Sequence, residues 1–194
     1  MEYHSDNDTL EQFKDEYESI TLCLPSVRHI GYIFDGLERL KRVKFVSTPI
    51  LLDMNYVFNN CPNLEYAEFC DLPKLIKMDH VFNDCPNLEY VEFCDLPKLI
   101  KMDHVFNDCS KLKEIKFGNI PYINHLNNIF MNCQTLKEIS FGNMKNLDDA
   151  LDMYQECPEL LFINFQVVKS INKVLDTIRN RIKRQPILYS FSRT

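Results

Sequence analysis

The stretch CPNLEYVEFCDLPKLIKMDHVFND, Cys85 to Asp108, follows a near copy of itself: residues 61–84 differ only in carrying Ala67 where the second copy has Val91. The same frame continues outward on both sides. Cysteines stand at positions 61, 85, 109, 133 and 157, each 24 residues after the last. Self-similarity at such a period marks a solenoid, in which one short unit buries its apolar side only by stacking on its neighbours. The skeleton Leu-x-x-apolar-x-Phe recurs at Leu40-Val43-Phe45, Leu64-Ala67-Phe69, Leu88-Val91-Phe93, Leu112-Ile115-Phe117, Leu136-Ile139-Phe141 and Leu160-Ile163-Phe165. A seventh coil, degenerate and one residue shorter, is marked by Ile20, Leu22, Pro25, Val27, Ile30, Ile33 and Phe34.

The alternation inside each skeleton reads as a short strand with one buried face. The second half of the unit has another period. Leu99, Met102, Val105, Phe106 and Cys109 fall at helical spacings, which predicts about two turns of helix over Lys101–Cys109, entered through the Asp95-Leu-Pro97 turn. The expected fold class is therefore α/β: a curved solenoid of about seven 24-residue coils, with strands on the concave side, short helices on the convex side and helical caps.

The strand core Leu-x-x-Val-x-Phe resembles that of leucine-rich repeats, and Met-x-x-Val-Phe-x-x-Cys-x-x-Leu, from Met102 to Leu112, is similar to the BspA-like, treponema-type subclass. The resemblance covers roughly residues 20–166 and departs from the usual pattern in lacking a regular Asn ladder just after the strand. Such repeats occur in microbial surface proteins and in repeat families of large DNA viruses. The resemblance implies a non-enzymatic scaffold for protein interaction and suggests a virus-encoded, host-interacting protein.

A solenoid needs covered ends. Leu10, Phe13, Tyr17 and Ile20 form an apolar stripe, with Asp8 or Thr9 as N-cap and Glu11 or Gln12 as capping-box partner, which predicts a cap helix within residues 1–19. The solenoid proper occupies 20–166. Residues 167–194 form a second cap helix and tail: Ser170 caps a stripe of Ile171, Val174, Ile178 and Ile182, and Pro186 stops it. The cations Arg179, Arg181, Lys183 and Arg184 suit that helix's C-terminal dipole better than they define an import or nucleic-acid patch.

Composition narrows the function classes. With 45% apolar and 26% charged residues the 194-residue chain can build a core, and its net charge of −6 disfavours nucleic acid as a partner. Neither a secretory leader nor ~18 consecutive apolar residues is present, so no membrane contact is expected and the predicted location is intracellular, in cytoplasm or in host cytoplasm or nucleus. In that setting the eight cysteines are expected to be reduced thiols, the repeat cysteine acting as a small buried hydrophobe.

Catalytic, cofactor and metal sites are not expected. His80-Asp79 and His104-Asp103 repeat one another as surface pairs, Gly118 and Gly142 read as isolated turns, and Cys70 and Cys94 are distributed along the solenoid rather than converging. Leu24 to Phe34 superficially resembles the start of an F-box, but the degenerate coil accounts for the same residues. The candidate partner-binding residues are the outward strand positions of the concave face: Arg42, Lys44, Tyr66, Glu68, Tyr90, Glu92, Glu114, Lys116, Glu138 and Phe162. The expected function is binding of a protein partner there, by a monomer or weak dimer. The alternatives are a self-assembling structural protein and a ligase adaptor.

Overall fold

The structure is a computed structural model and describes residues 2–4, 16–150, 153–168, 171–179 and 187–191. Its strands are β1 (Glu2–His4), β2 (Ser19–Cys23), β3 (Arg42–Ser47), β4 (Tyr66–Phe69), β5 (Tyr90–Phe93), β6 (Glu114–Phe117), β7 (Phe130–Met131), β8 (Glu138–Met144), β9 (Tyr154–Gln155), β10 (Phe162–Val168) and β11 (Leu188–Phe191). One helix, α1 (Ile171–Arg179), lies among the described residues. Successive coils supply β2, β3, β4, β5, β6, β8 and β10 to a parallel sheet of order β1-β2-β3-β4-β5-β6-β8-β10-β11. Register follows the repeat: Val43 pairs with Ala67, Ala67 with Val91, Val91 with Ile115 and Ile115 with Ile139. The shorter first coil joins the ladder through an irregularity between Leu22 and Cys23.

Each strand turns its skeleton residues inward, and these are buried throughout. The repeated Phe forms a ring ladder, with centroids 4.7 Å apart at Phe45–Phe69 and 5.0 Å at Phe93–Phe117. A second ladder, Phe34, Phe58, Phe82, Phe106 and Phe130, rises from the other half of the coil. The two meet edge to face, as at Phe69–Phe82, where the rings lie 5.4 Å apart at 75°. Such geometries are worth about 0.5–1.5 kcal/mol per pair beyond area burial, so stacking reinforces the sheet at every coil. Leu24, Val27, Ile30 and Phe34 belong to this same core, which places the F-box-like stretch inside the first coil.

The helix expected in each coil is absent among the described residues. Residues 77–84 and 101–108 are a single bridging residue followed by turns. The reason lies in the hydrogen bonds. Alternate N–H groups reach the next coil instead of residue i−4: Met78 donates to Lys101 O at 3.0 Å, His80 to Asp103 O at 3.0 Å, Phe82 to Val105 O at 2.9 Å and Asp84 to Asn107 O at 2.9 Å. Left-handed backbone at His80 (φ 55°) and Asp84 (φ 58°) bends the chain between these contacts. The α/β expectation is therefore corrected to a solenoid of strands and stacked turns.

The caps differ too. Strand β1 pairs in parallel with β2, and β11 with β10, so strands rather than helices extend the sheet at its two ends. Leu10 and Phe13 of the proposed N-terminal stripe lie outside the described residues, as do Ser170, Ile182 and Pro186. Helix α1 does bury Val174 in the core, but it is β11 that covers the strand edge of β10.

Two further expectations are corrected. Cys70 and Cys94, read as reduced thiols, form a disulfide, because adjacent coils hold their Cα atoms 4.9 Å apart. A short Asn ladder also exists after the strands: Asn119 N–H donates to Asp95 Oδ1 at 2.7 Å, and Asn143 N–H to Asn119 Oδ1 at 2.9 Å. Gly118 and Gly142 are not mere turns beside it. A Cβ on Gly118 would lie 2.7 Å from the Asp95 nitrogen, and one on Gly142 would lie 2.6 Å from the Gly118 carbonyl oxygen.

The repeat cysteines are free and, from Cys61 to Cys133, buried. Each thiol donates to the carbonyl of a phenylalanine in the preceding coil: Cys61 to Phe34, Cys85 to Phe58, Cys109 to Phe82 and Cys133 to Phe106, all at 3.1 Å. Burial pushes the Cys85 and Cys109 thiols well above the usual range, which makes them poor nucleophiles. No helix among the described residues is long and apolar enough to cross a membrane.

Candidate functional site

Because side chains alternate along a strand, the residues between the inward skeleton positions must share the other face of the sheet. Register sorts them into two columns. One runs Arg42, Tyr66, Tyr90, Glu114, Glu138, Phe162; the other runs Lys44, Glu68, Glu92, Lys116, Ser140, Asn164. All ten candidate residues named from the sequence stand in these columns, none of them buried.

In the first column the Tyr66 and Tyr90 rings stack at 5.3 Å and 12°, and the Arg42 guanidinium lies 6.0 Å from the Tyr66 centroid. Tyr90 remains 39% exposed, so one face of the pair is available. Desolvation raises the Tyr66 hydroxyl pKa, helped by the charges of Glu68 and Glu92, which keeps it a neutral hydrogen-bonding group. In the second column Lys44 Nζ pairs with Glu68 at 2.7 Å, and that hydrogen bond raises the lysine pKa. Glu92 has no such partner: it makes no side-chain hydrogen bond or ion pair among the described residues. Next to it is a concavity of about 220 Å³ lined by Tyr90, Glu92, Glu114, Lys116 and Gly118.

Two assemblies escape a reading of the sequence alone. The first lies on the strand face, where Cys70 Sγ, Cys94 Sγ and a Glu92 carboxylate oxygen fall within 4.8 Å of one another. The duplicated Glu-Phe-Cys at 68–70 and 92–94 was its signal. The second is a ring stack in the turns. Tyr32, Tyr56, His80 and His104 occupy one repeat position, with centroids 4.6, 4.5 and 4.7 Å apart and rings within 8° of parallel.

The His-Asp pairs serve that turn stack. Asp79 accepts from the Asp103 N–H at 2.9 Å and pairs with Lys101 at 2.9 Å, so its carboxylate ties coils together rather than orienting an imidazole. His104 Nδ1 is 2.8 Å from the Asn107 amide nitrogen.

Comparison with known proteins gives the arrangement its relatives. A family model described as a BspA-type leucine-rich repeat region, in six copies, matches residues 11–119 and 54–176. No curated protein matches the sequence. Among solved structures, the chain is similar to a leucine-rich repeat protein from Bacteroides ovatus, with 14% identity, a TM-score of 0.45 and 98% of this chain covered. The chain spans 62% of the length of that structure.

Proposed function

The chain belongs to the BspA-type leucine-rich repeat family, and we propose that it is a non-enzymatic scaffold that binds a protein partner on the outward face of its strand sheet. The observation that carries this reading is the stacked Tyr66–Tyr90 pair, flanked by Arg42 and by the Lys44–Glu68 ion pair in one fixed register. Aromatic and arginine side chains anchor protein interfaces when rigid neighbours hold them ready, because little side-chain freedom is then lost on binding. The resemblance to repeat families of large DNA viruses makes a host protein the partner class we assign.

The test compares capture from host-cell lysate by the wild type, by the combined variant Tyr66→Ala, Glu68→Lys, Tyr90→Ala, Glu92→Lys, and by a turn-face control, Tyr122→Ala. The expected result is a partner lost at least tenfold from the strand-face variant and kept by the control. Equal retention by both variants overturns the reading, provided circular dichroism shows each folded. Light scattering on the wild type addresses self-assembly: a large, concentration-independent oligomer would favour the structural alternative.

A further inference from the structure

We propose that Cys70, Cys94 and Glu92 form a redox-gated metal site: the reduced protein binds one thiophilic divalent cation of the Zn²⁺ class, and the disulfide excludes it. The proposal stands independently of the partner reading. Its first support is the ligand set, two sulfurs and one carboxylate oxygen within 4.8 Å of one another. Thiolates on a tetrahedral zinc with bonds of ~2.3 Å lie ~3.8 Å apart, a separation that adjacent parallel strands supply without rearrangement. The backbone is pinned on both sides, since Cys94 N–H donates to Phe69 O and Gly118 N–H to Phe93 O, each at 3.2 Å.

Glu92 lies two residues before Cys94, hence on the same face of its strand. Its counterpart Glu68 is held by Lys44 at 2.7 Å, whereas Glu92 is bound by nothing among the described residues and keeps its oxygens for a ligand role. Beyond Cys94 the ladder position is Gly118, where a Cβ would meet Asp95 Oδ1 at 2.6 Å, and the concavity of about 220 Å³ lies beside Glu92 and Gly118. On that side Glu92 borders open space, from which a water can serve as fourth ligand. Three protein ligands with one open position is an arrangement zinc accepts. Two thiolates and a carboxylate carry −3 against the ion's +2, and Lys116, the register partner of Glu92, offsets the remainder.

The gate is thiol–disulfide exchange with a small-molecule thiol, R–SH. One thiolate attacks Cys70 or Cys94 and forms a mixed disulfide; a second releases R–S–S–R and leaves two protein S–H groups. Two electrons and two protons have moved from the reductant to the protein. The cation then displaces both thiol protons as two sulfur–metal bonds form.

The experiment titrates Co²⁺, a spectroscopic substitute for Zn²⁺, into the full chain after phosphine reduction and removal of the phosphine under nitrogen. One equivalent should produce thiolate-to-cobalt charge-transfer absorption that Zn²⁺ abolishes, and the oxidised chain should produce none. Glu92→Gln should bind at least tenfold more weakly, and Cys70→Ser with Cys94→Ser should lose the band. In the reduced wild type, Zn²⁺ should slow iodoacetamide labelling of Cys70 and Cys94 at least tenfold while leaving Cys23 unaffected. This last readout decides the matter should the double variant fail to fold. No charge-transfer band in the reduced wild type, a full band in the double variant, or unprotected Cys70 and Cys94 each overturns the proposal.

Discussion

At the repeat position of Tyr32, Tyr56, His80, His104 and Asn128 the backbone is left-handed, with φ from 49° to 61°. Bulky side chains rarely take that conformation, at a cost of about 1–3 kcal/mol per residue. The ring stack from Tyr32 to His104 offsets this, since each aromatic contact returns about 0.5–1.5 kcal/mol. Histidine gives the position a pH dependence. Burial lowers the His80 pKa below its ordinary value, and the adjacent His104 adds to the shift more strongly than Lys101, while Asp79 and Asp103 oppose it. The unfolded chain then takes up a proton more readily than the folded one. Stability from this residue is complete above about pH 6.5 and falls as pH drops through the lower folded value. We expect the urea midpoint of the wild type to decline between about pH 7 and 5. His80→Asn, which borrows the Asn128 solution, should flatten that decline; an unchanged slope would show that His80 does not set it.

At the scale of the element, strand and turn obey different constraints. The strands were legible because a period of two is unambiguous and the 24-residue spacing fixes register, which also placed all ten outward residues. The turns were not. Met102, Val105, Phe106 and Cys109 are all buried, and the spacing i, i+3, i+4, i+7 brings them to one side equally well in an α-helix or in two stacked turns. What separates the two is where the N–H groups go, and here they go to the neighbouring coil. The Asn and Asp residues at positions 60, 84, 108 and 132, all with positive φ, were the overlooked signal. The thiol pair was missed for a related reason. Repetition spreads like residues along the solenoid, yet adjacent coils lie only about 4.8 Å from each other, short enough to join two sulfurs. Close stacking also makes Gly118 decisive. Gly118→Ala would set a Cβ 2.7 Å from the backbone of Cys94 and Asp95, neither of which can yield without moving a coil. It should cost about 1–3 kcal/mol in denaturant unfolding, and a loss under 0.5 kcal/mol would mean the coils separate easily.

For the whole molecule, stability is a sum of coil terms and interfaces between neighbours, because among the described residues each strand of the main sheet pairs with the strands of the coils beside it. Residues 61–84 and 85–108 differ at one inward position, so their upper and lower surfaces are nearly interchangeable. Deleting Cys61–Asp84 rejoins Asn60 to Cys85, the same junction as Asn60 to Cys61, and lets β3 pair with β5 as it now pairs with β4. The phenylalanine ladders, the thiol-to-carbonyl ladder and the turn stack all close over the gap, with His80 removed and Tyr56 facing His104. The Cys70–Cys94 bond is lost outright, as is the Lys101–Asp79 ion pair, because Asn55 then stands where Asp79 stood. The shortened chain should keep the circular dichroism of a β-rich protein and melt cooperatively at a lower temperature. Deleting residues 61–72 instead sets turn against strand. Inward phenylalanines would then meet the polar side of the next coil, and the N–H groups of Met54 and Tyr56, which now reach Lys77 O and Asp79 O, would have no acceptor in register. That chain should unfold or aggregate. Matching spectra and melts from the two deletions would show that the coils do not stack as repeat units; a cooperative melt from the 24-residue deletion alone would establish that the period itself, rather than any particular coil, is what the fold requires.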